Sequence, residues 1–449
     1  MDQPQLRFRI QHSSLIIIIL PTAFCLDFLF PRRFNYNFPT MSVKLSDIED
    51  ARALLRGIIN PTPMISDEKL SAQIGVRSFL KAECLQRSGS FKVRGAYNKI
   101  SRLSDEDKAR GVIAASAGNH AQGVALAAKL NNIKAVIVLP EFAPLTKVVA
   151  TRAFGAEVIL HGATFDEAVE HSRRLEQEHG YTYVHAFDDE AVIAGQGTIG
   201  FEIAEDLPAA SVVVVPIGGG GIISGIAIAV KALMPGVRVI GVQAANVAPV
   251  NLSLKAGEPV ESGFEPTIAD GIAVKRPGAI TLPIIREFVD KVVEVSEEEI
   301  AFGIYHCVQN AHLVTEGAGA AGVAALLAGK IELKPDDTVC TVLCGGNIDG
   351  NLLARIIEQV LVRQGRYVIM KLLVLDRPGT LAAMLNHVAE TGANVVEVYH
   401  QRAIWLAPLG RVGIEMILEV RDQQHASVVY THLTNTGYHV ERHGQGDWE

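Results

Sequence analysis

The chain has 449 residues, 49% of them apolar and 20% charged, with a formal net charge of −8; this is the composition of a globular protein large enough for more than one domain. The negative balance argues against nucleic acid as a partner. Five cysteines (Cys25, Cys84, Cys307, Cys340, Cys344) are scattered without a CxxC pair, and there is no His-x-His cluster. Neither a disulfide framework nor a metal site is therefore expected, and a reducing compartment such as the cytoplasm fits best.

The first forty residues differ from the rest. They contain none of the 40 glycines but six of the 16 phenylalanines. They also hold four of the 41 basic and two of the 49 acidic residues, so residues 41–449 carry a net charge of −10. The apolar run Leu15 to Phe30 is interrupted by Pro21 and Asp27 and is shorter than the ~20 residues a spanning helix needs. Arg7 and Arg9 precede it as in a signal peptide, but no small-x-small cleavage site follows before Arg32. The folded body is expected to begin at Met41, with residues 1–40 an extra or disordered extension and no membrane segment in residues 41–449.

From Gly111 short apolar strands alternate with amphipathic helices. VIAAS (112–116), AVIVL (135–139) and EVIL (157–160) are each followed by a helix, at His120–Leu130, near Thr146–Phe154 and up to His179. A second set comprises SVVVV (211–215), a helix Ile222–Leu233, VRVIGV (237–242), helices near 297–310 and 319–329, TVCTVL (338–343) and a helix to about Arg363. The pattern predicts two open parallel-sheet α/β units in a catalytic body over 41–365, the smaller at about 90–185, with a ligand cleft between them.

After Gly365 the periodicity changes. VIMKLLVL (368–375), a helix over 380–391 with Leu381, Leu385 and Val388 on one face, NVVEVYHQ (394–401), VGIEMILEV (412–420), a helix at about Gln424–Thr436 and a strand near Tyr438–Glu441 spell β-α-β-β-α-β. A separate ferredoxin-like α+β domain over 366–449 is expected.

Three segments carry chemistry. In SGSFKVRGA (88–96), Lys92 sits among small and apolar neighbours at a helix start. Desolvation and the helix N-terminus both disfavour the ammonium, which suits Schiff-base chemistry with a carbonyl; a solvated surface lysine is the alternative. SAGNHAQG (116–123) lies between a buried strand and a helix, where free amides, the Ser116 hydroxyl and the Asn119 amide can hold a carboxylate or simply cap the helix. PIGGGGIISG (216–225) places four glycines between buried elements, as a phosphate cradle without the Lys-Ser/Thr of a P-loop. One reactive lysine, one carboxylate loop and one phosphate loop suit pyridoxal 5′-phosphate acting on an amino acid.

These three motifs, with TIADGIAVKRPG (267–278), EGAGA (316–320) and CGGNID (344–349), resemble in that order the motifs of threonine dehydratases (threonine ammonia-lyases) of the tryptophan-synthase-β fold type, PLP fold type II. DRPGTLAAMLNHVAETGANV (376–395) is similar to the start of an ACT regulatory domain. The resemblance implies β-elimination from L-threonine to 2-oxobutanoate and ammonia, and from L-serine to pyruvate, by a homo-oligomer. It implies that Lys92 holds the cofactor and moves the Cα proton, that Phe91 lies against the ring, and that Asn119 bonds its 3-oxygen. Gly218, Gly219, Gly220, Gly221 and Ile222 would hold the phosphate. Ser116, Gly118, Asn119 and His120 would grip the substrate carboxylate. Cys344 would face the ring nitrogen, Glu316 would join the site, and Asp376, Arg377, Gly379 and Thr380 would receive an amino-acid effector. Cys340, four residues before Cys344, is read as a core residue.

Serine racemase shares the lysine and both loops. Its second serine in the asparagine loop corresponds to Ala117, and Gln243, Val247 and Pro249 stand where racemases carry acidic metal ligands. Both departures favour a lyase. A non-catalytic amino-acid sensor, the remaining alternative, would be expected to have lost Lys92 or the glycine loop.

Overall fold

The structure, a computed structural model, describes residues 42–401 and 408–443; the N-terminal extension read over 1–40 lies outside the described residues. The N-terminal part runs α1 (Leu45–Leu55), β1 (Met64–Ser66), α2 (Glu68–Ile74), β2 (Arg77–Lys81), α3 (Lys92–Ser101) and α4 (Asp105–Arg110). Next come β3 (Val112–Ala115), α5 (Asn119–Leu130), β4 (Ala135–Leu139), α6 (Leu145–Ala153), β5 (Glu157–Leu160), α7 (Phe165–His179), β6 (Thr182–Tyr183) and α8 (Glu190–Asp206). The chain continues through β7 (Val212–Pro216), α9 (Gly221–Leu233), β8 (Arg238–Ala244), α10 (Pro249–Ala256), α11 (Thr281–Phe288) and β9 (Lys291–Val295). Helices α12 (Glu297–Gln309) and α13 (Gly317–Leu327), strand β10 (Thr338–Val342) and helix α14 (Gly350–Arg363) follow. The C-terminal elements are β11 (Tyr367–Leu375), α15 (Thr380–Glu390), β12 (Asn394–Gln401), β13 (Arg411–Glu419), α16 (Gln423–Asn435) and β14 (His439–His443).

Two parallel sheets form, as the alternation of strands and helices predicts. The smaller has the order β5-β4-β3-β6 and is parallel throughout. The larger has the order β1-β2-β10-β7-β8-β9, parallel except for the antiparallel edge strand β1. Its central strands β7 and β10 are buried at every residue, which explains why their sequences, VVVVP and TVCTV, carry no charged residue. Cys340 lies in this core with its thiol against the Met64 sulfur. Among the described residues no helix is long and apolar enough to cross a membrane.

The third sheet is antiparallel with the order β12-β13-β11-β14, the topology of a ferredoxin-like β-α-β-β-α-β unit. Val412, Ile414, Met416, Leu418 and Val420 are buried as their alternation requires. On α15 the fully buried residues are Met384 and Val388, while Leu381 and Leu385 pack half-buried at the margin. The buried face of α15 is thus centred on Met384 and Val388, with the leucines flanking it.

Helix α8 is not legible in the sequence, since Gly195, Gly197 and Gly200 lower its propensity by about 1 kcal/mol each. Those glycines are contact points. A methyl on Gly195 would lie 2.5 Å from the Arg94 carbonyl oxygen on α3, and one on Gly197 2.9 Å from the Gly225 carbonyl oxygen on α9. Helix α8 is therefore held against both the helix that begins with Lys92 and the helix that follows the glycine loop. Beside the first contact, the buried Arg94 guanidinium donates two hydrogen bonds to Glu83, 2.8 and 2.7 Å, one to Glu202 and one to Thr198. Lys81, also buried, bonds Glu202 and Asp206 from β2.

Gly195→Ala is expected to destabilise the protein by about 1–3 kcal/mol through overpacking at this crossing, read as a lower midpoint in urea unfolding. An alanine at Gly350, where a methyl meets nothing within 4 Å, serves as the neutral control.

Candidate active site

Lys92 is the first residue of α3, with the N-cap Phe91 buried behind it. The segment before the helix is clipped to the end of the large sheet: Phe91 N–H donates to the Cys344 carbonyl, and Gly346 N–H to the Gly89 carbonyl. The 88–96 and 344–349 motifs, some 250 residues apart, thereby become adjacent walls. The Lys92 amine donates to the Ala186 carbonyl at 2.9 Å and lies 5.1 Å from the Phe91 ring centroid. Burial lowers its pKa to about 8, opposed by negative potential from Cys344 and Glu316.

Asn119 opens α5, and its side chain is held at both ends. Nδ2 donates to Glu316 Oε1 at 2.5 Å, while Oδ1 accepts from Asn347 Nδ2 at 2.7 Å. Glu316 is the N-cap of α13, buried, with its pKa raised to about 7 by burial and by the nearby Asp270 carboxylate. Asp270 pairs with Lys147 of α6. Burial, reinforced by Glu316, also keeps the Cys344 thiol protonated, well above its usual range. Phe91, Lys92, Asn119, Glu316 and Cys344 thus form one cluster of the predicted residues.

The asparagine loop begins at Ser116, whose hydroxyl accepts from the Gly118 N–H at 3.2 Å. His120 behaves differently from its neighbours: its ring is buried and bonds the Val184 carbonyl at 2.8 Å. Burial drops its pKa to about 3, with Lys92 contributing, so it is neutral. Only the backbone of His120 is left for an anion at the helix start.

The glycine loop, Gly218 to Gly221, runs into α9, with Gly220 left-handed at φ 99°. It is braced from outside by Thr281, whose hydroxyl donates to the Gly219 carbonyl at 2.6 Å. Asp188 in turn caps α11, accepting from the Ala279 and Ile280 N–H groups. A Cβ on Gly220 would strike the Thr281 side chain at 2.7 Å, and one on Gly221 would meet Phe187 and Gln196 Oε1 at 2.9 Å. Segment 184–188 therefore touches the Lys92 amine at Ala186 and the glycine loop at Phe187, joining the two halves of the site.

These residues fit a phosphorylated aldehyde. The start of α9 presents the backbone amides of a turn whose residues carry no side chains of their own. Gln196 lies buried beside Gly221 with an amide that makes no hydrogen bond among the described residues. An amine poised near neutrality stands on the other side of segment 184–188. Gln196, Phe187, Asp188, Thr281 and Asn347 were not singled out from the sequence; Asn347 alone lay inside a recognised motif. Asp376, Arg377, Gly379 and Thr380 are not brought to this cluster. They form the turn between β11 and α15, with Gly379 left-handed at φ 88° as the N-cap.

Residues 55–345 match the family described as pyridoxal-phosphate dependent enzyme. The chain belongs to that family. It is 49% identical over 398 residues to an L-threonine ammonia-lyase of Thermotoga maritima, covering 89% of this chain and 99% of that protein. An alignment of that length extends beyond the family segment into the C-terminal region. Among solved structures, threonine deaminase isoform 2 of Solanum lycopersicum is 39% identical with a TM-score of 0.66, covering 70% of this chain and 92% of that one. Maize serine racemase is 34% identical with a TM-score of 0.67, covering 71% and 98%. As in the family, the cofactor is pyridoxal phosphate.

Acetylation of cofactor-free protein, followed peptide by peptide, should show Lys92 half-maximally reactive near pH 8 rather than near 10.5, as for an ordinary lysine, since only the free amine attacks.

Proposed function

We propose that the protein is a threonine ammonia-lyase, releasing 2-oxobutanoate and ammonia from L-threonine and, more slowly, pyruvate from L-serine. The observation that carries this reading is the meeting of Lys92 and the glycine loop through segment 184–188, which also holds His120 next to Asn119, in a chain 49% identical to a relative of that activity. Bound pyridoxal phosphate supplies an aldehyde for the substrate amine and a ring that withdraws electrons from Cα.

In this reading Lys92 would hold the cofactor aldehyde, and once the substrate amine had displaced it the freed Lys92 amine would be placed to take the Cα proton. Its depressed pKa leaves about a tenth of it unprotonated at pH 7. Phe91 would lie against the ring, and Asn119, fixed by Glu316 and Asn347, would offer its amide to the ring oxygen. The amides of Gly218 to Ile222 would hold the phosphate. Ser116, Gly118, Asn119 and the backbone of His120 bind the substrate carboxylate at the start of α5. Cys344, kept protonated by burial, would give the ring nitrogen only a weak partner, which would limit electron withdrawal and favour loss of the β-substituent over transamination.

Serine racemase is the weaker alternative. Ala117 offers no acid or base on the second face of Cα. Gln243 is buried, its Oε1 accepting from the Val250 N–H at the start of α10, so it serves the fold rather than a cation. We assign residues 41–365 to catalysis in the cytoplasm and residues 366–449 to an ACT-like regulatory domain of a homo-oligomer, with the turn Asp376, Arg377, Gly379, Thr380 as the effector contact.

Wild-type protein should convert L-threonine to 2-oxobutanoate, with L-serine slower by roughly 10–200-fold in kcat/KM, the value of one methyl group. Lys92→Ala should lose roughly 10²–10⁴-fold in activity. Accumulation of D-serine without oxo acid from the wild type would overturn the lyase assignment. Deleting residues 366–449 should abolish any response of the kinetics to isoleucine, valine or threonine while retaining turnover; an unchanged response would place the effector site elsewhere.

A further inference from the structure

Helices α15 and α16 bring together three potential metal ligands that no single stretch of sequence displays. His387 and Glu390 are three residues apart and share one face of α15; His432 meets them from α16. His387 Nδ1 lies 3.2 Å and His432 Nε2 3.0 Å from the same carboxylate oxygen, Glu390 Oε2. The ligand atoms of all three residues fall within 4.8 Å of one another. The Tyr438 ring packs edge-on against His387 at 5.9 Å and fixes its outer side.

Bond lengths of about 2.0–2.2 Å to nitrogen and oxygen put tetrahedral ligands roughly 3.3 Å apart. The two His-to-Glu separations already have that spacing, so they match two edges of a coordination tetrahedron. Two imidazoles aimed at one carboxylate oxygen crowd both of its acceptor sites and leave Oε1 out of the cluster, and an ion among the three groups would replace both hydrogen bonds at once. The His387, Glu390 and His432 side chains are 32%, 57% and 34% exposed, open enough for an ion and a completing water to enter.

We propose that His387, Glu390 and His432 form a divalent transition-metal site of the zinc class, bridging α15 and α16 in the C-terminal domain. The donor set of two imidazoles and one carboxylate selects Zn²⁺, Co²⁺, Ni²⁺ or Cu²⁺ over Mg²⁺ and Ca²⁺, which prefer all-oxygen shells. Each histidine binds as neutral imidazole, its proton moving to the other ring nitrogen. The expectation of no metal site rested on local His and Cys spacing; this cluster spans 46 residues and two helices, and only the packing of α15 on α16 assembles it.

The test uses full-length protein loaded with pyridoxal phosphate, stripped with a chelator and dialysed. Titration with Co²⁺ should give one equivalent of bound ion per chain and the visible bands of a low-coordinate N/O site, displaced by Zn²⁺ and not by Mg²⁺ or Ca²⁺. His387→Ala, His432→Ala and Glu390→Gln should each weaken Zn²⁺ binding by about tenfold or more, with threonine turnover in metal-free buffer unchanged. His387→Gln provides a second variant that keeps side-chain volume beside Tyr438. Metal-free circular dichroism checks that each variant is folded. No Co²⁺ band in the wild type, or a band that survives in the His387→Ala/His432→Ala double variant, overturns the proposal.

Discussion

The buried Arg94 guanidinium is the interaction on which the catalytic body depends. It comes two residues after Lys92 and is fully desolvated, yet it is matched on one side by both oxygens of Glu83 and on the other by Glu202 and Thr198. Glu83 belongs to the segment following β2, Glu202 and Thr198 to α8, and Lys81 of β2 reaches Glu202 from a third direction. Burial alone would raise the Glu202 carboxyl, but Arg94 and Lys81 beside it lower its pKa overall. Breaking such a buried pair costs about 3–5 kcal/mol because a charge is left without its partner. Only a fork of guanidinium geometry can serve Glu83 in bidentate fashion while reaching a second carboxylate. The first turn of α3, and with it the Lys92 amine, is thus tied at once to the segment that precedes it, through Glu83, and to α8, through Glu202 and Thr198.

Around that anchor the site is tuned towards neutral groups. Lys92 is lowered, Glu316 and Cys344 are raised, and His120 is lowered, each chiefly by burial. A site built this way has no fixed counter-cation for a phosphate and relies on backbone amides at a helix start, whose partial charges cost nothing to desolvate a second time. This is why the phosphate loop is all glycine: side chains from α8, α11 and segment 184–188 already occupy the space where its Cβ atoms would stand.

Much of this arrangement is legible in the sequence, and the gaps have physical causes. The parallel strands announce themselves because they are buried on both faces, and β13 because it is buried on one. The three cofactor-directed motifs are local: each ends in a helix start, and in the asparagine and glycine loops a strand directly precedes it. Helix α8 is hidden because its glycines signal a loop by propensity while serving close helix contacts. Strand β1 has only three residues, and β2 (RSFLK) and β9 (KVVEV) carry charged residues and are only partly buried, so no unbroken apolar run marks them. Gln196, Phe187 and Thr281 act on the glycine loop from distant segments, and no spacing rule connects them to it. His120 shows the converse: the motif identifies the residue, and only the structure shows that its ring faces the core while its backbone faces the loop.

The order of strands in the large sheet also bears on biogenesis. Strand β2 pairs in parallel with β10, and the Arg77 side chain bonds Thr338 at a separation of 261 residues. At synthesis rates of about 5–20 residues per second, β2 waits roughly 13–50 seconds on the ribosome for its neighbour to emerge. During that interval its β10-side edge is open and the Cys344 wall does not yet exist. The nascent chain should therefore lean on chaperones that shield strand edges, and cofactor capture should be a post-translational event that follows completion of the sheet.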